Sequence, residues 1–207
     1  MTLSPIIEHF AVATGALTGL LAARGKQLDL FGVLVLAVVT AFGGGTVRDL
    51  LVGDTPVVWL RSPGFLHTAV ITGTVAFFVC RFWQPPAIVL KIADACALAL
   101  FTIVGAHKGL ALDLATSVVI LLGIVTGVAG GILRDVLLGQ MPLVFQRNTY
   151  LYATAAGAGA AGYAILMRKA GWSADHAELC GIAMCLLLRL GALRWRLALP
   201  GFDKGSR

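Results

Sequence analysis

The sequence Gly43-Gly44-Gly45-Thr46-Val47-Arg48-Asp49 ends an uncharged run that begins at Leu30. The run is long enough to form most of a helix across a membrane. Three consecutive glycines disfavour a helix, so the motif predicts a break at Gly43–Gly45. A break inside a bilayer survives only where protein, water or ions satisfy the freed backbone groups. The alternative is an ordinary helix end at the membrane surface, where glycine acts as a cap.

The motif occurs twice. The second copy, Gly130-Gly131-Ile132-Leu133-Arg134-Asp135, lies 86 positions after Gly44-Gly45-Thr46-Val47-Arg48-Asp49. Val, Thr, Gly-Gly, Arg-Asp, Leu, Gly and Pro hold the same places over 39–56 and 125–142. Ala129 stands where the first copy has Gly43, so we expect the second break to be milder. A duplicated element at fixed spacing indicates an internal repeat, which favours a functional break over a surface cap.

The composition is that of a membrane protein. Of the 207 residues, 58% are hydrophobic and only 13% are charged, and the mean hydropathy is +0.90. A soluble domain is about one quarter charged. The formal charge of +6 is assigned to membrane orientation rather than to nucleic acid. The sequence has no metal-ligand or disulfide spacing, no nucleotide-binding loop and no nucleophile–base pair, so we expect no enzyme, no cofactor and no metal site.

We predict an all-α fold of seven membrane spans in a single domain over 1–207. A first three-helix repeat covers 5–86, a second covers 88–168, and a seventh helix covers 176–197. Since Met1 to Pro5 carries no Lys or Arg, no signal peptide is expected and the first stretch remains as a span. The spans are predicted at Ile6–Ala23, Leu28–Val52, Phe65–Trp83, Ile88–Ala106, Leu114–Leu138, Thr149–Met167 and Ala177–Trp195.

Two further patterns place these spans in the membrane. Aromatic residues near the span ends are typical of the belt at the membrane surface; they are Trp59, Trp83, Trp172, Trp195, Tyr150 and Tyr152. Lys and Arg favour an outside N-terminus and an inside C-terminus by eleven residues against five. The inner segments then hold Arg24, Lys26, Arg81, Lys91, Arg134, Arg147, Arg189, Arg194, Arg196, Lys204 and Arg207; the outer segments hold Arg48, Arg61, Lys108, Arg168 and Lys169.

Each repeat unit has an odd number of spans, and this determines how the two units are oriented relative to each other in the membrane. The second unit enters the membrane upside down relative to the first, which makes an inverted repeat. At the same offset, Glu8 corresponds to Asp94 and Gly19 to Gly105. A carboxylate inside a membrane suggests function by default, although both residues also lie near span ends, where the interface would accept them. His107, after the fourth span, is expected to be a solvated loop residue.

The repeat predicts an ion pathway. In such folds discontinuous helices mark the transport path, and carbonyls freed at a break can replace water around a cation. The pathway residues would be Gly43, Gly44, Gly45, Arg48, Asp49, Gly130, Gly131, Arg134, Asp135, Glu8 and Asp94. Neighbours on a helix diverge, so each arginine is expected to pair elsewhere than with the aspartate that follows it. The small residues over 153–164 predict close packing against other helices, within the protomer or across a subunit boundary.

The doubled Gly-Gly-x-x-Arg-Asp motif and the arrangement of three, three and one spans resemble the prokaryotic trimeric intracellular cation channels. The resemblance covers nearly the whole chain. It implies a homotrimer in the inner membrane, with one pore per protomer lined by spans 1, 2, 4 and 5. It also implies passage of monovalent cations, potassium above all and sodium as a second ion, with Lys108 a candidate for gating or lipid contact. Bacterial sequences of this type are also called glycine transporters, so a secondary transporter and a structural membrane subunit stay open as alternatives.

Overall fold

The computed structural model describes residues 4–146 and 151–197, and the part it describes is helical. Thr2, Arg147, Thr149, Tyr150, Lys204 and Arg207, which the sequence assigned to termini, loops or span ends, lie outside these ranges. A 3-10 turn at Leu143–Phe145 precedes the last two helices. The helices are α1 Pro5–Ala22, α2 Leu30–Leu51, α3 Val58–Arg61, α4 Pro63–Phe82, α5 Ala87–Ala111, α6 Thr116–Leu137, α7 Tyr152–Lys169 and α8 Ala174–Trp195.

Six of the described helices are long and apolar enough to cross a membrane: α1, α2, α4, α5, α6 and α8. Helix α7, which corresponds to the predicted sixth span, does not meet the same criterion. Its sequence is rich in alanine and glycine and ends in Arg168 and Lys169, which keeps its hydropathy low. It nevertheless packs along α6 and α8 as part of the same bundle.

The predicted helix breaks are wrong. Helix α2 runs without interruption through Gly43–Gly45, and α6 runs without interruption through Gly130–Gly131. The glycines instead allow two helix backbones to touch. A Cβ at Gly44 would overlap the carbonyl oxygen of Thr126 on α6, and a Cβ at Gly130 would overlap the carbonyl oxygen of Thr40 on α2. Tertiary packing has overridden the poor helix propensity of glycine.

These reciprocal contacts show that α2 and α6 run antiparallel where they cross. Residue numbers increase from Thr40 to Gly44 along α2, while those of the facing residues on α6 decrease from Gly130 to Thr126. The contact between α1 and α2 also recurs between α5 and α6, at the same offset of 86 residues. A Cβ at Gly19 would lie 2.8 Å from the Leu36 carbonyl oxygen, and one at Gly105 would lie 2.7 Å from that of Leu122.

The small residues of α7 are used inside the protomer. A Cβ at Gly159 would lie 2.7 Å from Cβ of Cys185 on α8, and one at Gly157 would lie 3.3 Å from Ile124 on α6. Helix α8 in turn packs on α5 and α7. The predicted close packing of 153–164 is therefore explained by neighbours within the same chain.

Several residues assigned to loops or to the membrane surface are buried instead. Arg48, Arg134 and Arg189 are at most 5% exposed, so they do not belong among the loop charges. Without them the remaining Lys and Arg keep the same bias. Tyr152 is buried, whereas Trp83, Trp172 and Trp195 are exposed as a membrane belt requires. Long arginine and tyrosine side chains near helix ends reach inward when buried partners are available.

Candidate functional site

Two small cavities lie inside the bundle formed by α1, α2, α5 and α6. We call them the Glu8 cavity, of about 40 Å³, and the Asp94 cavity, of about 10 Å³. Their linings correspond at the offset of 86 residues. Glu8, Ala11, Val12, Ala41, Gly45 and Arg48 line the first. Asp94, Ala97, Leu98, Gly127, Gly131 and Arg134 line the second. The repeat therefore builds the same kind of chamber twice, each with one carboxylate and one arginine.

The Asp94 cavity contains a closed network of charges. Arg134, which is fully buried, donates from Nη1 to Asp94 Oδ1 at 3.1 Å and from Nε to Asp135 Oδ1 at 2.8 Å. Tyr152 on α7 donates its hydroxyl to the same Asp94 oxygen at 3.3 Å. Asp94 Oδ2 and Arg134 Nη2 have no hydrogen-bond partner among the described residues. Unused polar atoms beside a cavity of this size suit a single water molecule.

The Glu8 cavity is wider and its charges are less tightly joined. Arg48 donates from Nε to Asp49 Oδ1 at 2.9 Å, and Asp49 Oδ2 accepts from the backbone N–H of Val58 at 3.0 Å. Glu8 lines the same cavity as Arg48 and is partly exposed. The indole of Trp59 also lines this cavity, stacked on Phe42 and donating to the Thr46 hydroxyl at 3.1 Å.

The expectation that each arginine pairs away from the following aspartate is wrong in both copies. Arg48 pairs with Asp49, and Arg134 pairs with Asp135. Side chains of helical neighbours start in different directions, but arginine is long enough to turn back across the helix surface. Both pairs lie near a helix C-terminus, where the first residue of the short helical turn that follows, Val58 or Leu143, donates its backbone N–H to the aspartate.

The glycines of the motif divide into two groups. Gly44 and Gly130 make the helix crossing, and a Cβ at Gly43 would press on Leu133 of α6 at 2.6 Å. Gly45 and Gly131 line the cavities, where a Cβ would come no closer than 3.7 Å to Arg48 Nη2 and 3.4 Å to the Tyr152 hydroxyl, respectively. The carbonyls that a helix break would have freed stay in the helices.

Lys108 lies at the end of α5 and pairs with Asp54 in the loop between α2 and α3. Asp54 also pairs with Arg61. Hydrogen bonds from Arg61 and then from Lys108 lower the pKa of the Asp54 carboxyl to about 2. Lys108 is thus a bridge between the first repeat and the second.

Sequence reasoning missed a buried polar group on the last helix. His107, expected in a loop, is buried on α5, and its Nδ1 lies 3.0 Å from the Tyr163 hydroxyl and 3.1 Å from Glu178 Oε1. Glu178 on α8 is 1% exposed. At the other end of α8, Arg189 lies over the Tyr152 ring, 4.6 Å from its centroid. Charges inside a predicted apolar span were the signal that these residues face the bundle.

No group of three or more His, Cys, Asp or Glu side chains within 4–146 and 151–197 is arranged to hold a metal ion. The four cysteines are free thiols. The chemistry that these cavities can supply is electrostatic. They offer charged and polar groups to a small ion or molecule that enters them.

The chain matches a known family in both halves. The family model described as Glycine transporter matches residues 5–81 and again residues 91–168. The chain is 38% identical over 200 residues to a UPF0126 membrane protein of Vibrio cholerae serotype O1, covering 95% of this chain and 82% of that protein. It is also 38% identical over 206 residues to the UPF0126 inner membrane protein YadS of Escherichia coli K12, covering 97% of this chain and 98% of YadS.

Solved structures agree with this match. A TRIC trimeric intracellular cation channel orthologue from Rhodobacter sphaeroides aligns with a TM-score of 0.86 at 34% identity, over 93% of this chain and 97% of that one. A second TRIC cation channel, solved to explain conductance, aligns with a TM-score of 0.85 at 31% identity over 100% of both chains. Family model, relatives and fold lead to the same assignment: this chain is a membrane protein of the prokaryotic trimeric intracellular cation channel family.

Proposed function

We propose that this protein conducts monovalent cations, potassium above all, along a path that joins the Glu8 cavity to the Asp94 cavity. The observation that carries the proposal is the duplication of a charged chamber inside an apolar bundle. Each chamber is lined by one carboxylate and one arginine in equivalent positions. Buried charges are costly in a membrane and persist where they line a path for ions or water.

The sign of the charges favours cations. In each copy the arginine is neutralised by the aspartate that follows it, at 2.8 Å in both pairs. Glu8 and Asp94 then remain as the carboxylates that a passing cation meets. Asp94 also bonds Arg134, so cation entry into the Asp94 cavity requires that bond to loosen. The wider Glu8 cavity accepts a cation more readily.

The membrane arrangement follows from the repeat. We propose an inverted repeat of the units 5–86 and 88–168 with 176–197 as a seventh span, which makes α7 membrane-spanning. The antiparallel crossing at Gly44 and Gly130 supports this, since equivalent helices of an inverted pair run in opposite directions. The N-terminus lies outside the cell membrane and the C-terminus inside, as the Lys and Arg bias favours.

Three copies of the chain form the assembly in this proposal, each with its own pore. The support is the likeness to a TRIC channel orthologue described as trimeric. The small-residue helix α7 no longer supports a subunit contact, because its glycines are used within the protomer. The surrounding lipid contacts the exposed apolar side chains of α4, whose buried residues are few.

A secondary transporter of a small solute such as glycine is the second candidate. Two features favour it: the family model carries that description, and the two cavities are separate and narrow. A closed midplane between two chambers is what alternating access requires.

Recording from the purified protein in a planar lipid bilayer separates these functions. Discrete unitary currents in potassium solution, with a reversal potential set by the potassium gradient, are expected for the channel. Electrically silent, saturable uptake of glycine into liposomes, with no unitary currents, would instead establish the carrier. A protein that gives neither would be left with a structural role.

A further inference from the structure

The two cavities meet at a single aromatic side chain. Among the residues that the structure describes, their linings share two, Ala41 on α2 and Phe101 on α5. Ala41 contributes one methyl group and is buried. The Phe101 ring is therefore the bulk of the partition between the Glu8 cavity and the Asp94 cavity.

Phe101 also occupies a position at which the two repeats carry side chains of very different size. Its equivalent at the offset of 86 is Gly15 on α1. The two residues touch, as positions close to a two-fold axis do. A Cβ at Gly15 would lie 2.9 Å from Phe101 Cε2 and 3.0 Å from the Cα of Ala41. The ring fills the space that the missing side chain of Gly15 leaves, so the partition between the two cavities comes from one repeat only.

We propose that the Phe101 ring is the hydrophobic gate of this protein, and this rests on the proposed cation pathway. A ring of apolar carbon between two small chambers, each with one carboxylate and one arginine, offers a cation nothing in place of its hydration shell, and such constrictions close a path by excluding water. Rotation of one side chain, which has two rotatable bonds, removes the partition. The close approach of the ring to Gly15 holds it in the closed position.

The first test is potassium flux from liposomes containing purified wild type, Phe101→Ala or Leu100→Ala. Leu100 is the matched control, since it neighbours Phe101 on the same helix and lines neither cavity. Loss of the ring should raise flux by roughly tenfold or more, on the scale of one large apolar side chain withdrawn from its packing. Leu100→Ala should stay close to wild type. Measurable flux that is equal through wild type and Phe101→Ala would overturn the gate.

A second readout does not depend on ion currents. In a background with Cys80, Cys96, Cys180 and Cys185 replaced by alanine, Ala97→Cys places a thiol in the Asp94 cavity. A membrane-impermeant thiol reagent is applied from the side on which a cysteine at Gly53 is labelled. Phe101→Ala should speed labelling of position 97 from that side by roughly tenfold, as the partition opens. Unchanged labelling refutes the gate; faster labelling without potassium flux keeps the gate and refutes the channel.

Discussion

Gly44 and Gly130 are the residues at which the two halves of the molecule touch. Each faces a threonine carbonyl of the opposing helix, and Thr40 and Thr126 bond their own side chains to the carbonyl four residues earlier at 2.6 Å. The sequence identified these glycines correctly as special. It could not show that they serve a helix crossing rather than a helix break, because propensity describes a helix alone and the facing carbonyl belongs to a residue 82 positions away for Gly44 and 90 positions away for Gly130.

Alanine substitutions should therefore separate the glycines into two groups. Gly44→Ala and Gly130→Ala force the helices apart and should lower the stability of the folded protein by about 1–3 kcal/mol each, as overpacking does. Gly45→Ala and Gly131→Ala add a methyl group to a cavity and should fold normally while ion flux falls. Thermal unfolding of the detergent-solubilised variants, beside flux, provides the measurement. Equal loss of stability in all four would contradict this division.

Replacing Arg134 should also lower the stability of the protein more than replacing Arg48. Arg134→Ala leaves Asp94 and Asp135 buried without their charge partner, which should cost about 3–5 kcal/mol of stability. Arg48→Ala removes one ion pair while Asp49 keeps its bond from Val58, so the loss should be smaller. Adding Asp94→Asn to Arg134→Ala should recover part of the stability. A larger loss for Arg48→Ala in thermal unfolding would show that the Glu8 cavity is the tighter network.

The roles of two helices, α3 and α8, could not be predicted from the sequence. The short helix α3 and the loop before it close the Glu8 cavity through Trp59 and Val58, and no periodic pattern predicts a four-residue helix. Helix α8 has no repeat partner, so the repeat could not assign its buried side chains Glu178 and Arg189. The charge of these residues suggested a role, but their partners come from α5 and α7, far away in sequence.

We expect Asp54, in the loop between α2 and α3, to make the free energy of unfolding depend on pH in the acid range. Arg61 and Lys108 hold the pKa of Asp54 at about 2, below its ordinary value of 3.8. A lowered folded-state pKa contributes stability that is complete above pH about 4 and is lost as the pH falls to about 2. Asp54→Asn should remove this part of the pH dependence of unfolding in that window. Asp113→Asn, at a nearly fully exposed aspartate, is the control and should follow wild type. Parallel curves for wild type and Asp54→Asn would contradict the bridge.

At the scale of the whole molecule, the internal repeat was the most reliable sequence signal. A constant offset of 86 relates the helix crossings, the arginine–aspartate pairs and the linings of two cavities. Six of the described helices, each long and apolar enough to cross a membrane, lie where apolar runs predicted spans. The widths of the cavities and the position of Phe101 between them depend on side-chain packing, which the repeat alone does not determine.

The assembly remains a prediction. Chemical cross-linking of the purified protein in mild detergent should give products that stop at three subunits. Because the glycines of α7 are occupied within the protomer, Gly162→Val should act through its contact with Met184 on folding and leave the subunit number unchanged. A protein that stays monomeric or dimeric at every concentration would contradict the trimer.

The measurement that tests the pathway most directly is side-specific block of single-channel current at Gly45→Cys and Gly131→Cys in a cysteine-free background. These equivalent positions line opposite cavities. If the path runs through both chambers of an inverted repeat, a bulky impermeant thiol reagent should block Gly45→Cys from one side of the bilayer and Gly131→Cys from the other. Block of both from the same side, or current that persists when both thiols are modified, would place the path elsewhere.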